Sequence, residues 1–255
     1  MYPSTVAAAV GLAVDATVGE PPAEMHPVVW FGRTMQAVER RLYADRRRAG
    51  VAHTAIGVGL GLGVGLVAQR VLGRRLAAVC ATTLCSAGRM LDTEARAVAG
   101  FLEAGDLQGA RERLPSLVGR ATDDLDASER SRAGVESMAE NGVDAVTASW
   151  WWAAVGGAPA VLAHRATNTL DAMVGHRNAR YERFGWASAR LDDALNFVPA
   201  RLTALAIAAV RPRRAGAVLA TVRSDARQHP SPNGGVVEAA MAAALDIRLG
   251  GANRY

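Results

Sequence analysis

Acidic and amide side chains recur at helical spacing in the second half of this 255-residue chain. Arg132, Glu136, Glu140 and Asp144 follow one another every fourth residue, so on an α-helix they would share one face. Stacked carboxylates repel by roughly a few tenths of a kcal/mol per pair unless a divalent cation or arginines compensate. The plain alternative is a solvated helix face on which Arg132 closes one ion pair. Asn141 belongs to a second polar row beside this one.

Two further clusters of acids and amides follow along the chain. Asn168 and Asp171 are three residues apart, and Asp192 or Asp193 shares a helix face with Asn196. Hard oxygen ligands of this kind suit Mg²⁺, particularly when substrate phosphates complete its coordination sphere. The arginines interspersed among the clusters suit carboxylate or phosphate groups. Three such clusters together favour a functional site over a solvated surface.

Composition and motifs exclude several classes of function. All 29 basic residues are arginines, and no basic stretch interleaves with aromatic residues, so we expect no nucleic-acid partner. The chain has no G-x-S-x-G or H-E-x-x-H motif, and without lysine it cannot form a P-loop. Cys80 and Cys85 lie in an apolar run away from other metal ligands, which predicts buried thiols rather than a zinc or disulfide site.

Long apolar blocks must position these polar clusters. Residues 51–68 contain only two polar side chains, and about 1.5 Å per residue carries them across roughly 27 Å, close to the hydrocarbon core of a bilayer. We expect membrane segments over residues 1–18, 51–68, 76–88 and 146–163. Arginines are concentrated between the first two segments, which places that loop, and the polar stretch 89–144, on the cytoplasmic side.

Glycines mark two places where the helices have special geometry. Gly57, Gly61 and Gly65 recur every fourth residue, and Gly59 and Gly63 repeat the spacing one stripe over, so another helix can approach closely. Segment 146–163 is interrupted by Gly156, Gly157 and Pro159. It is either a plain span or a broken, re-entrant pair that returns to the cytoplasmic side.

The sequence therefore predicts an all-α fold, a polytopic membrane protein of helical hairpins with a polar helical region on the cytoplasmic side. We expect one membrane domain over residues 1–255, in which 89–145 and 164–201 carry the active-site helices and loops. Residues 202–210 and 215–222 are too short to span singly, and they could form an interfacial hairpin or two soluble helices.

These clusters resemble the adenosylcobinamide-phosphate synthase family of cobalamin biosynthesis, known as CobD or CbiB. The matching blocks are Gly19-Glu20-Pro21, His26-Pro27-Val28, Glu136 to Asn141 with Asp144, Asn168 to Gly175, Arg190 to Asp193 with Asn196, Pro199 to Leu202, Ser231-Pro232-Asn233 and Leu249-Gly250-Gly251. They cover about half the chain in family order. The resemblance implies that relatives continue past the last residue, Tyr255, so we expect a C-terminus that is truncated relative to the family, or else a short member of it.

The resemblance implies a ligase of the bacterial inner membrane whose site faces the cytoplasm. It would join the propionate carboxylate of adenosylcobyric acid to (R)-1-amino-2-propanol or its O-phosphate, with ATP and Mg²⁺. Activating a carboxylate as an acyl phosphate supplies a leaving group, and phosphoryl transfer needs metal and arginine to offset charge. The implied partners are the corrinoid, the amine and membrane lipid, and a homo-oligomer is left open.

Site roles follow from the resemblance and the residue types. Catalytic roles, as metal ligands or as a base toward the attacking ammonium, are expected for Glu136, Glu140, Asp144, Asp171, Asp192 and Asp193, of which Glu140, Asp171 and Asp192 would hold Mg²⁺. Substrate binding is expected for His26, Asn141, Arg165, Asn168, Arg180, Arg190, Asn196 and Arg201. A membrane prenyltransferase that binds Mg²⁺-diphosphate is the alternative enzyme, and a non-catalytic membrane scaffold is the alternative without chemistry.

Overall fold

The computed structural model of the protein describes residues 3–22, 24, 26–118 and 125–250, and within them it contains α-helices and no strand. The helices are α1 (Pro3–Val18), α2 (Pro27–Leu42), α3 (Arg47–Leu72), α4 (Arg74–Cys85), α5 (Gly88–Glu103), α6 (Leu107–Arg113), α7 (Ala127–Gly142), α8 (Ala148–Val174), α9 (Trp186–Leu195), α10 (Phe197–Val210), α11 (Ala215–Asp225) and α12 (Gly234–Leu245). The predicted all-α class is confirmed.

The helices group into two compact units, each built from two separate stretches of the chain. The first unit contains the described residues up to Ala87 together with Ala148–Asn196, and the second contains Gly88–Thr147 together with the described residues from Phe197 onward. The expectation of a single membrane domain stays a prediction.

In the first unit, α3 and the second half of α8 pack antiparallel through glycine. A Cβ at Gly57 would lie 2.6 Å from Leu170 Cδ1, and one at Gly61 would lie 2.6 Å from the Leu162 carbonyl oxygen. Both glycines are buried. The predicted close approach on this stripe is therefore confirmed. Gly59 and Gly63, one stripe over, have open space around them.

Helix α8 breaks where the sequence places Gly-Gly-x-Pro. Gly157 has φ 67° and ψ −155°, a conformation open in practice only to glycine. The two arms bend toward each other, because the ring centroids of Trp152 and His164 lie 6.4 Å apart, whereas a straight helix would separate these residues by about 18 Å. The predicted break is present, and its re-entry into a membrane stays a prediction.

One helix of the described chain, Arg47–Leu72, is long and apolar enough to cross a membrane. The consecutive helices Trp186–Leu195 and Phe197–Val210 make a second candidate when they are taken together. Of the other expected segments, α1 has 16 residues and α4 has 12, so α4 spans only about 18 Å. The four predicted segments thus correspond to helices, and their location in a membrane stays a prediction.

In the second unit, α10, α11 and α12 pack through a core of small residues. Ala204 and Ala208 of α10 meet Val218 of α11, and Val236 and Ala240 of α12. A second cluster joins α7 to α10 and α12 through Ala139, Val143, Ala200 and Val237. The segments expected at 202–210 and 215–222 are therefore two packed helices.

Candidate functional site

A hydrogen-bonded network in the first unit brings two of the predicted polar clusters together. Asn168 Nδ2 on α8 lies 3.4 Å from Asp192 Oδ1 on α9, and Asn196 Nδ2 donates to Asp192 Oδ2 at 3.0 Å. The Oδ1 of Asn196 lies 2.9 Å from His164 Nε2. His164 and Asn168 share a face of α8 because they are four residues apart, as do Asp192 and Asn196 at the end of α9. Asp192 is the residue on which this network converges.

Asp171 and Asp193 form a second acidic group in the same unit. Burial is the main cause that raises the pKa of Asp171, and the negative charge of Asp193 raises it further while His176 opposes the shift. Burial also raises the pKa of Asp193, against the attraction of Arg190 and Arg177. A carboxylate whose charge is disfavoured by a neighbouring carboxylate provides a place for a proton or a cation. Arg190 thus lies within electrostatic range of a predicted catalytic carboxylate.

Arg165 connects the network to a half-buried acid, Glu20, that the sequence analysis did not assign. Its Nη1 lies 3.4 Å from Asn168 Oδ1. Burial raises the pKa of Glu20 and the charge of Arg165 opposes that shift. His26 lies 3.8 Å from Glu20, and its Nδ1 accepts a hydrogen bond from the Val28 amide at the start of α2. Burial, and then Arg165, lower the pKa of His26. The Glu20 carboxylate was signalled only by its place in the Gly19-Glu20-Pro21 block.

Arg180 is engaged by residues that the sequence did not connect with it. Its Nη2 lies 3.1 Å from Oε1 of Glu39, a buried acid of α2, and the same oxygen accepts a hydrogen bond from the Tyr181 hydroxyl at 2.9 Å. The guanidinium lies 4.4 Å from the ring centroid of Tyr43. These contacts tie the segment after α8 to α2. Substrate binding by Arg180 stays a prediction.

In the second unit, helix α7 carries the predicted acidic row. Glu136 is only 4% exposed, and its Oε1 accepts a hydrogen bond from the Gly250 amide at 2.8 Å. Arg132 lies 4.0 Å from Glu136 and also donates to the Gly250 carbonyl oxygen. The alternative interpretation, a solvated helix face, is therefore wrong for Glu136. This contact joins two of the sequence blocks on which the resemblance rests.

Asn141 and Arg201 hold loops of the second unit in place. Asn141 Nδ2 donates to the Leu117 carbonyl oxygen at 3.2 Å and to Ser137 Oγ at 2.8 Å. Arg201 donates to Asn233 Oδ1 at 2.7 Å. Both side chains have partners within the protein, and their binding of substrate stays a prediction.

Asp144 lies where the regular α-helix of the acidic row ends. Helix α7 ends at Gly142, and Val143–Thr147 form a π-helical turn. A π turn inserts an extra residue into the helical register, so the register changes between Glu140 and Asp144. Four-residue spacing did not predict this turn, and the catalytic role of Asp144 stays a prediction. Such turns are frequent at functional sites.

Glu140 has partners that its spacing could not reveal. Ligand atoms of Glu140, His229 and Glu238 all lie within 4.8 Å of one another, and this is the one group of three such residues in the part of the chain that the structure describes. His229 and Glu238 were missed because they lie far along the sequence from the acidic row. Asp171 and Asp192, expected to share a metal with Glu140, belong to the first unit, and that shared site stays a prediction.

Comparison with known proteins identifies the family. The family model described as CobD/Cbib protein matches residues 8–255. A relative named cobalamin biosynthesis protein CobD, from Mycobacterium tuberculosis (strain ATCC 25618 / H37Rv), is 45% identical over 252 residues, which cover 96% of this chain and 80% of the relative. Relatives of the same name from Pelobacter propionicus and Rhodobacter capsulatus are each 42% identical, over 100% and 96% of this chain and over 83% and 82% of the relatives.

No solved structure matches the chain. The family model nevertheless extends over both compact units, and the relatives cover nearly all of the sequence. The chain belongs to the CobD/Cbib protein family.

Proposed function

We propose that this chain acts in cobalamin biosynthesis, as its relatives do by name, and that it is the ligase that forms an amide between adenosylcobyric acid and (R)-1-amino-2-propanol or its O-phosphate. Membership of the family over residues 8–255 is the observation that carries the proposal. The network around Asp192 supports it, because that network is built from the family's Asn168 and Asp192 blocks.

The donor chemistry of the first unit fits Mg²⁺ with a bound nucleotide. Asp192 offers carboxylate oxygens that two amides hold in a fixed orientation, and oxygen ligands with substrate phosphates are the environment that Mg²⁺ prefers. Asp192 would hold the ion, and Mg²⁺ there would offset the negative charge of the phosphates. Arg165 and Arg190 would receive anionic groups, because guanidinium groups bind phosphate and carboxylate in a fixed geometry.

Asp171 is suited to accept a proton from the attacking ammonium. Its raised pKa brings it nearer to neutral pH, which is where a general base works best. Asp193 beside it adds negative charge that would attract the protonated amine. In this assignment Asp171 acts as the base and Asp192 as the metal ligand, whereas the sequence had left both roles open to Asp171. A location in the cytoplasmic membrane is part of the same proposal.

The test is formation of the amide by membranes that contain the chain. They are incubated with adenosylcobyric acid, ATP, Mg²⁺ and each amine in turn, and the product is identified by mass. Replacing Asp192 with Asn is expected to lower the rate at least about 100-fold, the order expected when charge stabilisation is lost. The matched control is Asp92→Asn on α5, whose carboxylate is exposed and paired with Arg96.

Two outcomes would contradict the proposal. Absence of amide product with both amines, in membranes where the chain is folded, would remove the assigned reaction. Unchanged product formation by the Asp192→Asn variant would remove Asp192 from the site. Turnover of a lipid diphosphate in the same membranes would instead favour the prenyltransferase alternative.

A further inference from the structure

We propose that Glu140, His229 and Glu238 in the second unit form a binding site for a divalent first-row transition ion, with Zn²⁺ as its representative. The proposal does not depend on the Mg²⁺ expected at Asp192, and it stands whether or not the chain makes the amide. It uses one acid that the sequence pointed to and two residues that the sequence did not connect with it.

The three side chains are already close to a common point. Their ligand atoms lie within 4.8 Å of one another, and His229 Nε2 is 3.6 Å from Glu238 Oε1. Zn²⁺ bound at about 2.0–2.2 Å holds its ligand atoms roughly 3.3 Å apart. The His229 and Glu238 atoms are near that separation, and small side-chain rotations of Glu140, which is exposed, would complete the set.

The imidazole of His229 is held by its own turn. The Ser231 amide donates a hydrogen bond to Nδ1 at 3.0 Å, which leaves the proton of the neutral ring on Nε2, beside Glu238. A metal on Nε2 would displace that proton to Nδ1, where the Ser231 carbonyl oxygen, 3.3 Å away, can accept it. The carbonyl would then support the imidazole, as backbone groups commonly do for a metal-binding histidine.

Glycine at the start of α12 makes room for the group. A Cβ at Gly234 would lie 2.6 Å from Glu140 Oε1 and 2.9 Å from His229 Cε1. The acid from α7 and the imidazole from the preceding turn therefore meet over a backbone position that carries no side chain. Glu238 lies one helical turn later on α12 and completes the group from the same helix.

The donor set selects the class of ion. Imidazole is a common ligand of Zn²⁺ and of other first-row transition ions, whereas Mg²⁺ takes oxygen ligands almost exclusively. Three protein ligands leave a fourth tetrahedral position open, as in metal sites that bind a further molecule. His229 and Glu238 line a cavity of about 810 Å³ that Arg214 and Arg248 also line, so a small anion could reach the open position.

The test measures Zn²⁺ binding to the purified full chain in detergent by competition with a chromophoric chelator. The unmodified chain is expected to bind one ion, with at least tenfold preference over Mg²⁺. His229→Gln and Glu238→Gln should each lower the affinity at least tenfold. Glu103→Gln, an exposed acid on α5 of the same unit, is the matched control and should bind as the unmodified chain does.

A second measurement does not depend on the variants folding. Zinc X-ray absorption of the unmodified chain should show one imidazole with oxygen ligands and no sulfur. A sulfur ligand would assign the ion to Cys80 or Cys85, and a sphere without imidazole would exclude His229; either result overturns the proposal. Binding that is unchanged in both His229→Gln and Glu238→Gln overturns it as well. Amide formation is assayed separately, so its loss or retention does not bear on this site.

Discussion

Asp171 is a single side chain whose surroundings disfavour its negative charge. The carboxyl is removed from water near the end of α8, and Asp193 adds a second negative group nearby, so the pKa of Asp171 is raised. A side chain at position 175 would collide with the Asp171 carboxylate, so the residue beside it is glycine. A half-buried acid with a raised pKa and a like-charged neighbour is more often found where it binds or transfers something than where it only packs.

Replacing Asp171 with Asn should therefore stabilise the protein and inactivate it. Because the folded-state pKa is raised, the folded protein holds more protons than the unfolded chain between the two pKa values, and stability falls as the pH rises through that window. Asp171→Asn should melt higher than the unmodified chain at neutral pH, and the difference should vanish as the pH falls below about 3.9. Amide formation should fall about 100-fold or more.

Asp92→Asn is a control of opposite sign for the melting curves. A hydrogen bond from Arg96 lowers the pKa of Asp92, so its charge favours the folded state above the ordinary aspartate pKa and that contribution is lost as the pH falls. The variant should melt no higher than the unmodified chain at neutral pH. A lower melting temperature of Asp171→Asn than of the unmodified chain at neutral pH would contradict the view that the Asp171 charge destabilises the fold.

At this scale the sequence could predict which residue types matter, but not most of their partners. Asn168, Asp192 and Asn196 stood out because polar groups at helical spacing interrupted apolar sequence, and they do hydrogen-bond together. Glu39 and His229 carried no such signal, because Arg180 beside Glu39 and Glu140 beside His229 come from distant segments. Spacing reports neighbours on one helix, and it carries no information on which helices meet.

The α3–α8 pair shows what glycine achieves at the scale of an element. Gly61 faces the backbone of α8, where a Cβ would lie 2.6 Å from the Leu162 carbonyl oxygen and 3.0 Å from Ala166 Cβ. Gly63, two residues later, has nothing within 4 Å. The sequence predicted close packing from the four-residue period but could not distinguish the stripes, since both have the same spacing. Only the position of α8 makes the distinction.

Alanine at these two glycines should have opposite effects. Gly61→Ala places a methyl group against a backbone that cannot rotate away, and overpacking of this kind costs about 1–3 kcal/mol. Gly63→Ala meets open space and gains helix propensity of up to about 1 kcal/mol. The measurement is the thermal unfolding midpoint of the two variants in the same detergent. Equal midpoints would contradict the close approach at Gly61.

At the scale of the whole molecule, the surface of α3 that faces away from α8 is the feature that bears on membrane insertion. Its apolar side chains are unusually exposed, Leu62 by 44% and Val64 by 60%. A helix of 26 residues is about 39 Å long, more than a bilayer core requires. Composition predicted this apolar block, whereas the other three predicted segments form helices that are shorter or broken, and their location in a membrane stays a prediction.

If this surface faces lipid, a charge on it should hinder insertion. Leu62→Arg lies near the middle of α3, where arginine costs about 2.5–3.5 kcal/mol on insertion scales. Its matched control is Leu107→Arg in α6, since Leu107 is 46% exposed and lies in the polar stretch. The readout is the fraction of each variant that resists alkaline carbonate extraction from membranes. Equal resistance of the two variants, or ready extraction of the unmodified chain, would contradict a membrane-spanning α3.

The engagement of Arg180 by Glu39 has a consequence for how an anion could be captured. Glu39 is 6% exposed, and removing Arg180 would leave its buried carboxylate with the Tyr181 hydroxyl but without a counter-charge from Arg180, which is costly. An incoming phosphate that drew Arg180 away would therefore have to loosen the start of the segment from α2, or be accompanied by a proton for Glu39. Binding of an anion at Arg180 and loosening of the contacts between α2 and the segment after α8 would then occur together.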